Sequence, residues 1–199
     1  MKNNKRSVII ISLGVLCILF SCGLLVYNHI TANRAYQVSQ QTVEELSKVI
    51  AEEESDFPTD NYDRIMPKLK VDDMEYIGIL DIEELELKLP VSSQLDYSKL
   101  DKSPCLYSGS VYRDDMVIAA HNYENHFGRL SYLSIGSKIN FTDVENNTYS
   151  YKIMEMEVLS PTQTNEMKNK TPTSNWDLTL FTCNYSGSKR VTIRCAKID

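Results

Sequence analysis

Three residues of this 199-residue sequence have the side chains that thiol acyl transfer needs, and each stands where an apolar run meets a turn. Cys183 follows the apolar run 177–182 and precedes Asn184-Tyr185-Ser186-Gly187-Ser188, a turn composition. A thiol at the mouth of a strand is held firmly and still open to substrate. To attack a carbonyl it needs thiolate character, a proton donor for the leaving group and a cation for the oxyanion. His121 ends the run Met116 to Ala120, and Arg190 opens the segment after the Cys183 turn. The other two histidines are His29, at the edge of the N-terminal apolar run, and His126. A hairpin centred between Ser186 and Gly187 sets Cys183 opposite Arg190, with Arg194 four residues on along the same strand face.

The same register puts Cys195 near Leu178. Five strand residues at ~3.3 Å each then separate the Cys183 and Cys195 sulfurs by roughly 16 Å. A disulfide needs Cα atoms within about 7 Å, so the hairpin disfavours that bond. Cys105, Cys183 and Cys195 are an odd number outside the N-terminal run, and Cys105 and Cys195 read as buried thiols acting as small hydrophobes.

The scaffold that positions these residues reads as short strands: 76–80, 85–91, 116–120, 138–141, 148–153, 177–182 and 190–193. Many short strands with few long helices indicate an all-β barrel or sandwich with short helices. Residues 160–176 interrupt the rhythm with a polar connection holding Pro161 and Pro172. It leads into the strand of Cys183 and is placed to wall one side of a groove. The prolines stiffen its ends, and Met167 is its apolar contact for a bound peptide.

From Val8 to Tyr27 the chain carries 20 uncharged residues, preceded by Lys2, Lys5 and Arg6. About 20 residues at ~1.5 Å each span a ~30 Å hydrocarbon core. The run reads as a single membrane anchor with residues 1–7 cytoplasmic and everything after Asn28 outside the cell. A cleaved secretory signal, with small residues at Ser21-Cys22-Gly23, is the competing reading. Residues 35–54 lack Gly and Pro and repeat Ala35, Val38, Thr42, Leu46, Val49 and Ile50 at helical spacing. Residues 28–70 are therefore expected as a helical stalk or linker, its helix ended by the turn residues Phe57 to Asn61. Residues 71–199 follow as the functional domain. Of 21 basic residues three precede the anchor, against 27 acidic residues, and an exterior this acidic argues against nucleic acid as a partner. No Asp-x-Asp-x-Asp calcium spacing occurs, and no metal or other cofactor is expected.

Thr179-Leu180-Phe181-Thr182-Cys183 fits the T-L-x-T-C signature of sortases. Val117-Ile118-Ala119-Ala120-His121-Asn122 resembles the strand that delivers the sortase histidine, and Arg190-Val191-Thr192-Ile193-Arg194 resembles the terminal strand with its arginine. The order His, Cys, Arg behind an N-terminal anchor is also that of the family, and the likeness covers about residues 74–199. Ala120 stands where the histidine motif commonly has Gly, and Asn122 follows the histidine as in some subfamilies.

The resemblance implies an eight-stranded β-barrel and cysteine transpeptidation in the cell wall of Gram-positive cells. It makes Cys183 the nucleophile, His121 the general acid/base, and Arg190 the oxyanion and substrate clamp. Thr182, Asn122, Met167 and Arg194 are the expected substrate-binding residues. The partners it implies are exported proteins bearing an LPxTG-like sorting signal, and a peptidoglycan-precursor or pilin amine as acceptor. The N-terminal helix adds membrane lipid. Only one apolar run occurs, which favours cell-wall anchoring over pilin polymerisation. A non-catalytic, membrane-anchored β-barrel binding module is the reading from a different class.

Overall fold

The computed structural model describes residues 2–53, 64–170 and 174–198. The turn expected at Phe57–Asn61 and the Pro172 end of the 160–176 connection lie outside them. In chain order the elements are α1 (Lys2–Ile50), β1 (Leu69–Val71), β2 (Met74–Ile82), β3 (Leu87–Ser92), α2 (Tyr97–Leu100), β4 (Cys105–Ser108), β5 (Met116–Ala119), β6 (Lys138–Asp143), β7 (Thr148–Leu159), α3 (Thr164–Lys168), β8 (Leu178–Cys183) and β9 (Arg190–Ile198).

Eight strands close into a barrel in the order β2, β3, β4, β5, β8, β9, β7, β6, and β6 pairs back onto β2. β1 adds a short antiparallel hairpin outside the ring, on β2. Closure removes the open edge that an all-β sheet would otherwise present. Two of the pairings are parallel, β3 with β4 and β5 with β8. The second sets the expected histidine and cysteine strands side by side, both running toward the same end of the barrel.

Alternation assigns the faces. Leu178 and Leu180 of β8, Met116 and Ile118 of β5 and Ile193 and Cys195 of β9 point inward and are fully buried with Leu80, Phe141 and Tyr151. Each such side chain contributes about 1.5–3 kcal/mol relative to exposure. Thr179, Phe181 and Cys183 take the outer face of β8. On that face a second apolar cluster forms from Leu100, Cys105, Val117, Ala119, Leu159, Met167 and Phe181, so α3 within the 160–176 connection is packed onto the barrel wall. The second expected strand begins two residues late, because Glu83–Leu85 form a single 3₁₀ turn closed by Glu86 in the left-handed region (φ 53°).

The chain divides into two compact units, Met1–Ala35 and Tyr36–Asp199. The first is the N-terminal part of α1, a helix long and apolar enough to cross a membrane. Its large apolar side chains from Val8 to Val26 are exposed. In the second unit the end of α1 packs on the barrel. Val43, Leu46 and Ile50 form a buried cluster with Val71, Met74, Tyr76 and Ile79, flanked by buried Ser39 and Thr42. Val38 and Val49, expected on the apolar stripe, face outward instead, because Ser39 and Val43 complete the i, i+4, i+7 row that meets the barrel.

Candidate active site

β8 and β9 form the expected hairpin: Cys183 pairs with Arg190, Thr179 with Arg194 and Leu178 with Cys195. The connection is closed by Asn184 N donating to Lys189 O (2.9 Å), Gly187 N donating to Asn184 O (2.9 Å) and Lys189 N donating to Asn184 Oδ1 (3.0 Å). Gly187 takes φ +73°, a backbone conformation that side-chain-bearing residues adopt at a cost. Cys183 is half-buried, Cys105 and Cys195 are fully buried, and all three are free thiols. Burial pushes the Cys105 thiol up to about 11 and the Cys195 thiol higher still, so neither becomes a thiolate near neutrality.

His121 follows β5, whose residues pair in parallel register with β8 up to Ala119 and Phe181. Three further bonds carry the pairing past the strand ends. Ala120 N donates to Phe181 O (3.2 Å), Thr182 Oγ1 donates to Ala120 O (2.8 Å), and Asn122 Nδ2 donates to Asn184 O (3.2 Å). His121 and Cys183 therefore leave neighbouring strands at the same end, with their turns tied together. The His121 loop is closed by Phe127 N donating to His121 O (3.1 Å) and Gly128 N donating to Tyr123 O (2.9 Å). A Cβ at Gly128 would lie 2.6 Å from Asn122 O and 2.7 Å from Tyr123 O, so only glycine permits this closure.

Two residues unforeseen in the sequence complete the surroundings of His121. Its Nε2 lies 3.0 Å from Asp101 Oδ1, and the Tyr123 hydroxyl donates to the same oxygen at 3.4 Å. The Tyr123 ring tilts over the imidazole at 4.9 Å. Asp101 stands in Asp-Lys-Ser-Pro, a composition that reads as an ordinary turn, and only the fold brings it to His121. His126 is almost fully buried 5.5 Å from Tyr123, and neither ring nitrogen has a hydrogen-bond partner. Burial first, then the charge of His121, lowers its pKa to about 4.

The expected arginines separate sharply. Arg190 is half-buried beside Cys183, and its Nη1 donates to the carbonyls of Gly187 and Lys189, both at 3.2 Å. Those bonds anchor Nη1 at the turn, and among the described residues Nε and Nη2 have no hydrogen-bond partner. Arg194, expected at the substrate, is instead 5% exposed and fully engaged. It donates to Glu157 Oε1 (2.7 Å), Thr179 Oγ1 (2.8 Å), Met167 O (3.1 Å) and Glu166 O (2.6 Å), and it lies over the Trp176 ring. Its position opposite Thr179 puts it four residues down the barrel wall from the Cys183 turn, under α3.

Met167, expected as a peptide contact, is 2% exposed and fills the outer-face cluster that seats α3. Thr182 is 3% exposed, with its hydroxyl spent on Ala120 O, so it joins the two strands rather than facing a ligand. Asn122 is exposed at the rim. Among the described residues, no three His, Cys, Asp or Glu side chains converge as metal ligands would.

Cys183 and Arg190 pair across the hairpin, and His121 follows the parallel neighbour strand, so the three residues lie at one end of the barrel. A sequence model of the Sortase domain matches residues 80–198, more than half of the chain, and the chain belongs to the sortase family, whose members are cysteine transpeptidases. Solved structures agree with the fold. Sortase C1 from Streptococcus suis is 26% identical over 62% of this chain and 73% of its own, with a TM-score of 0.53. A Clostridium perfringens sortase D5 transpeptidase is 19% identical over 82% of this chain and 99% of its own, with a TM-score of 0.61. Sortase A from Corynebacterium diphtheriae is 18% identical over 84% of each chain, with a TM-score of 0.57. No match was found among curated proteins.

Proposed function

We propose that this protein is a membrane-anchored cysteine transpeptidase that cleaves an LPxTG-like sorting signal of exported proteins and passes the acyl group to a cell-wall amine. The observation that carries the reading is the joining of the His121 and Cys183 turns with Arg190 across the hairpin. Cys183 Sγ attacks the scissile carbonyl while His121 takes the thiol proton. Arg190 donates to the oxyanion, a placement that favours charge developing in the transition state. Collapse breaks the C–N bond, His121 gives its proton to the leaving amine, and a thioester remains on Cys183. An incoming amine then attacks the thioester, loses its proton to His121 and releases the thiol. The apolar N-terminal helix holds the barrel at the membrane, with the cations before Val8 on the cytoplasmic side and the barrel outside.

The test is incubation of the full chain in detergent with a library of sorting-signal peptides, followed by mass spectrometry. An acyl adduct on Cys183 with release of the C-terminal fragment is expected, and Cys183→Ala should show neither. Intact peptides and no adduct, with Cys183 still open to thiol labelling, would replace this reading with that of a binding module.

A further inference from the structure

We propose that the barrel end carrying Cys183, His121 and Arg190 rests on the lipid surface, its rim of exposed tyrosines and aliphatic side chains at headgroup depth. The inference goes beyond the proposed transpeptidation and rests on one part of that reading, the N-terminal apolar run as a membrane anchor. Among the described residues from Tyr36 onward, six large apolar side chains are at least 61% exposed: Ile65, Tyr97, Tyr132, Ile135, Val158 and Tyr185. Five of them belong to the site end. Tyr185 is in the turn that follows Cys183, and Val158 pairs with Val191, next to Arg190. Tyr132 and Ile135 lie on the connection that runs from His121 to β6. Tyr97 opens α2, a single turn of four residues, so about 6 Å of helical rise separates it from Asp101. Asp101 in turn accepts a hydrogen bond from Tyr123 of the His121 loop (3.4 Å). Ile65 is elsewhere, next in sequence to Arg64, which pairs with Glu145 on the β6–β7 turn.

The chemistry of the rim and the path of the chain identify the occupant. Tyrosine joins an apolar ring to a polar tip, the combination that settles at a membrane–water interface. Each ring or aliphatic group that leaves water there is stabilised in proportion to the area removed. Gln40 of α1 donates to the carbonyl of Lys88 (3.0 Å), at the start of β3. The β2–β3 connection is bound to the His121 loop by Arg129 Nη2 donating to Leu85 O (2.7 Å). The stretch that follows the anchor therefore reaches the barrel at the site end. Gln40 is twelve residues beyond Asn28, at most about 40 Å of chain, so the bilayer is the surface that the rim is tethered to meet. The β6–β7 turn, at the opposite end, contacts the chain only later, where Asn146 Nδ2 donates to Glu53 O (3.0 Å).

The test uses the full chain reconstituted into phosphatidylcholine vesicles whose acyl chains carry bromine, a contact quencher of tryptophan. Trp176 is the single tryptophan of the sequence, is 7% exposed, and sets the background in the wild type. Tyr97→Trp, Tyr132→Trp and Tyr185→Trp each add one indole at the rim, and Ile65→Trp adds one at the other end. All four positions are exposed, so the new ring displaces no packed neighbour. The rim variants should lose emission to brominated lipid on the order of twofold more than Ile65→Trp, as rings at headgroup level would.

No added quenching at the three rim positions, in a chain that stays with the vesicles through a carbonate wash, overturns the docking and leaves the anchor standing; the rim would then be a surface for another protein. Quenching as strong at Ile65→Trp as at the rim also overturns it, because no barrel end would be preferred. Release of the chain by carbonate overturns anchor and docking together. Acylation of Cys183 in detergent is measured separately, so loss of the transpeptidase reading would not be mistaken for loss of this one.

Discussion

At the scale of single residues, position along β9 separates two guanidinium groups of identical chemistry. Arg190 faces Cys183 across the hairpin, whereas Arg194 is consumed by four hydrogen bonds under α3. Arg190→Lys keeps the charge and loses the planar fork. The kcat/KM for one sorting peptide should fall on the order of 10²-fold, comparable to losing one oxyanion donor. Near-normal turnover there would remove Arg190 from the transition state. His126 gives a different reading, through pH. Burial, then the nearby His121, hold its pKa at about 4, while Asp101 acts in the opposite direction. Between about pH 6.5 and 4 the unfolded chain binds this proton and the folded chain does not, so stability falls as the pH drops through that window. The fall amounts to on the order of 3 kcal/mol at about 1.4 kcal/mol per pH unit. Urea unfolding of the wild type should show this slope and His126→Phe should flatten it; equal slopes would mean that His126 is protonated within the fold.

At the scale of elements, α3 in the connection between β7 and β8 is a docked piece rather than a free turn. Met167 seats it in the outer-face cluster, and Arg194 ties its backbone at Glu166 and Met167. Arg194→Ala removes all four Arg194 hydrogen bonds and leaves the partly exposed Glu157 without its cation, so it should cost on the order of 2–3 kcal/mol. Where the variant remains folded, KM for the sorting peptide should rise more than kcat falls; an unchanged KM would move recognition off this connection. The sequence already disclosed the β8–β9 register, because an apolar run, a six-residue turn and a second run leave one natural pairing. The burial of Met167 and Arg194 was not legible, because spacing tells which strand face a residue takes, and an element packed on that face decides whether it stays open. β1 and β4 escaped notice for lack of length: Leu69–Val71 and Cys105–Ser108 are too short for two-residue alternation to show. Asp101 was invisible for a further reason, since its partner lies 20 residues away and no periodicity links them.

At the scale of the whole molecule, the apolar start of α1 predicts that the protein stays with membranes through high-salt and carbonate washes. Its barrel should be digested by protease added outside spheroplasts. Recovery of the barrel from the medium with its N-terminus near Gly23 would show a cleaved signal instead. The barrel itself carries a consequence in time. β5 has its site-forming neighbour in β8, some 60 residues later in synthesis, and β8 is completed by β9. At about 5–20 residues per second, the His121 strand waits roughly 3–12 s for the cysteine strand to be made. Pairings this distant in sequence are also slow to form once available. Cys183 therefore meets His121 and Arg190 only in a nearly finished barrel, so under the proposed function a chain still being made has no assembled centre to take an acyl group.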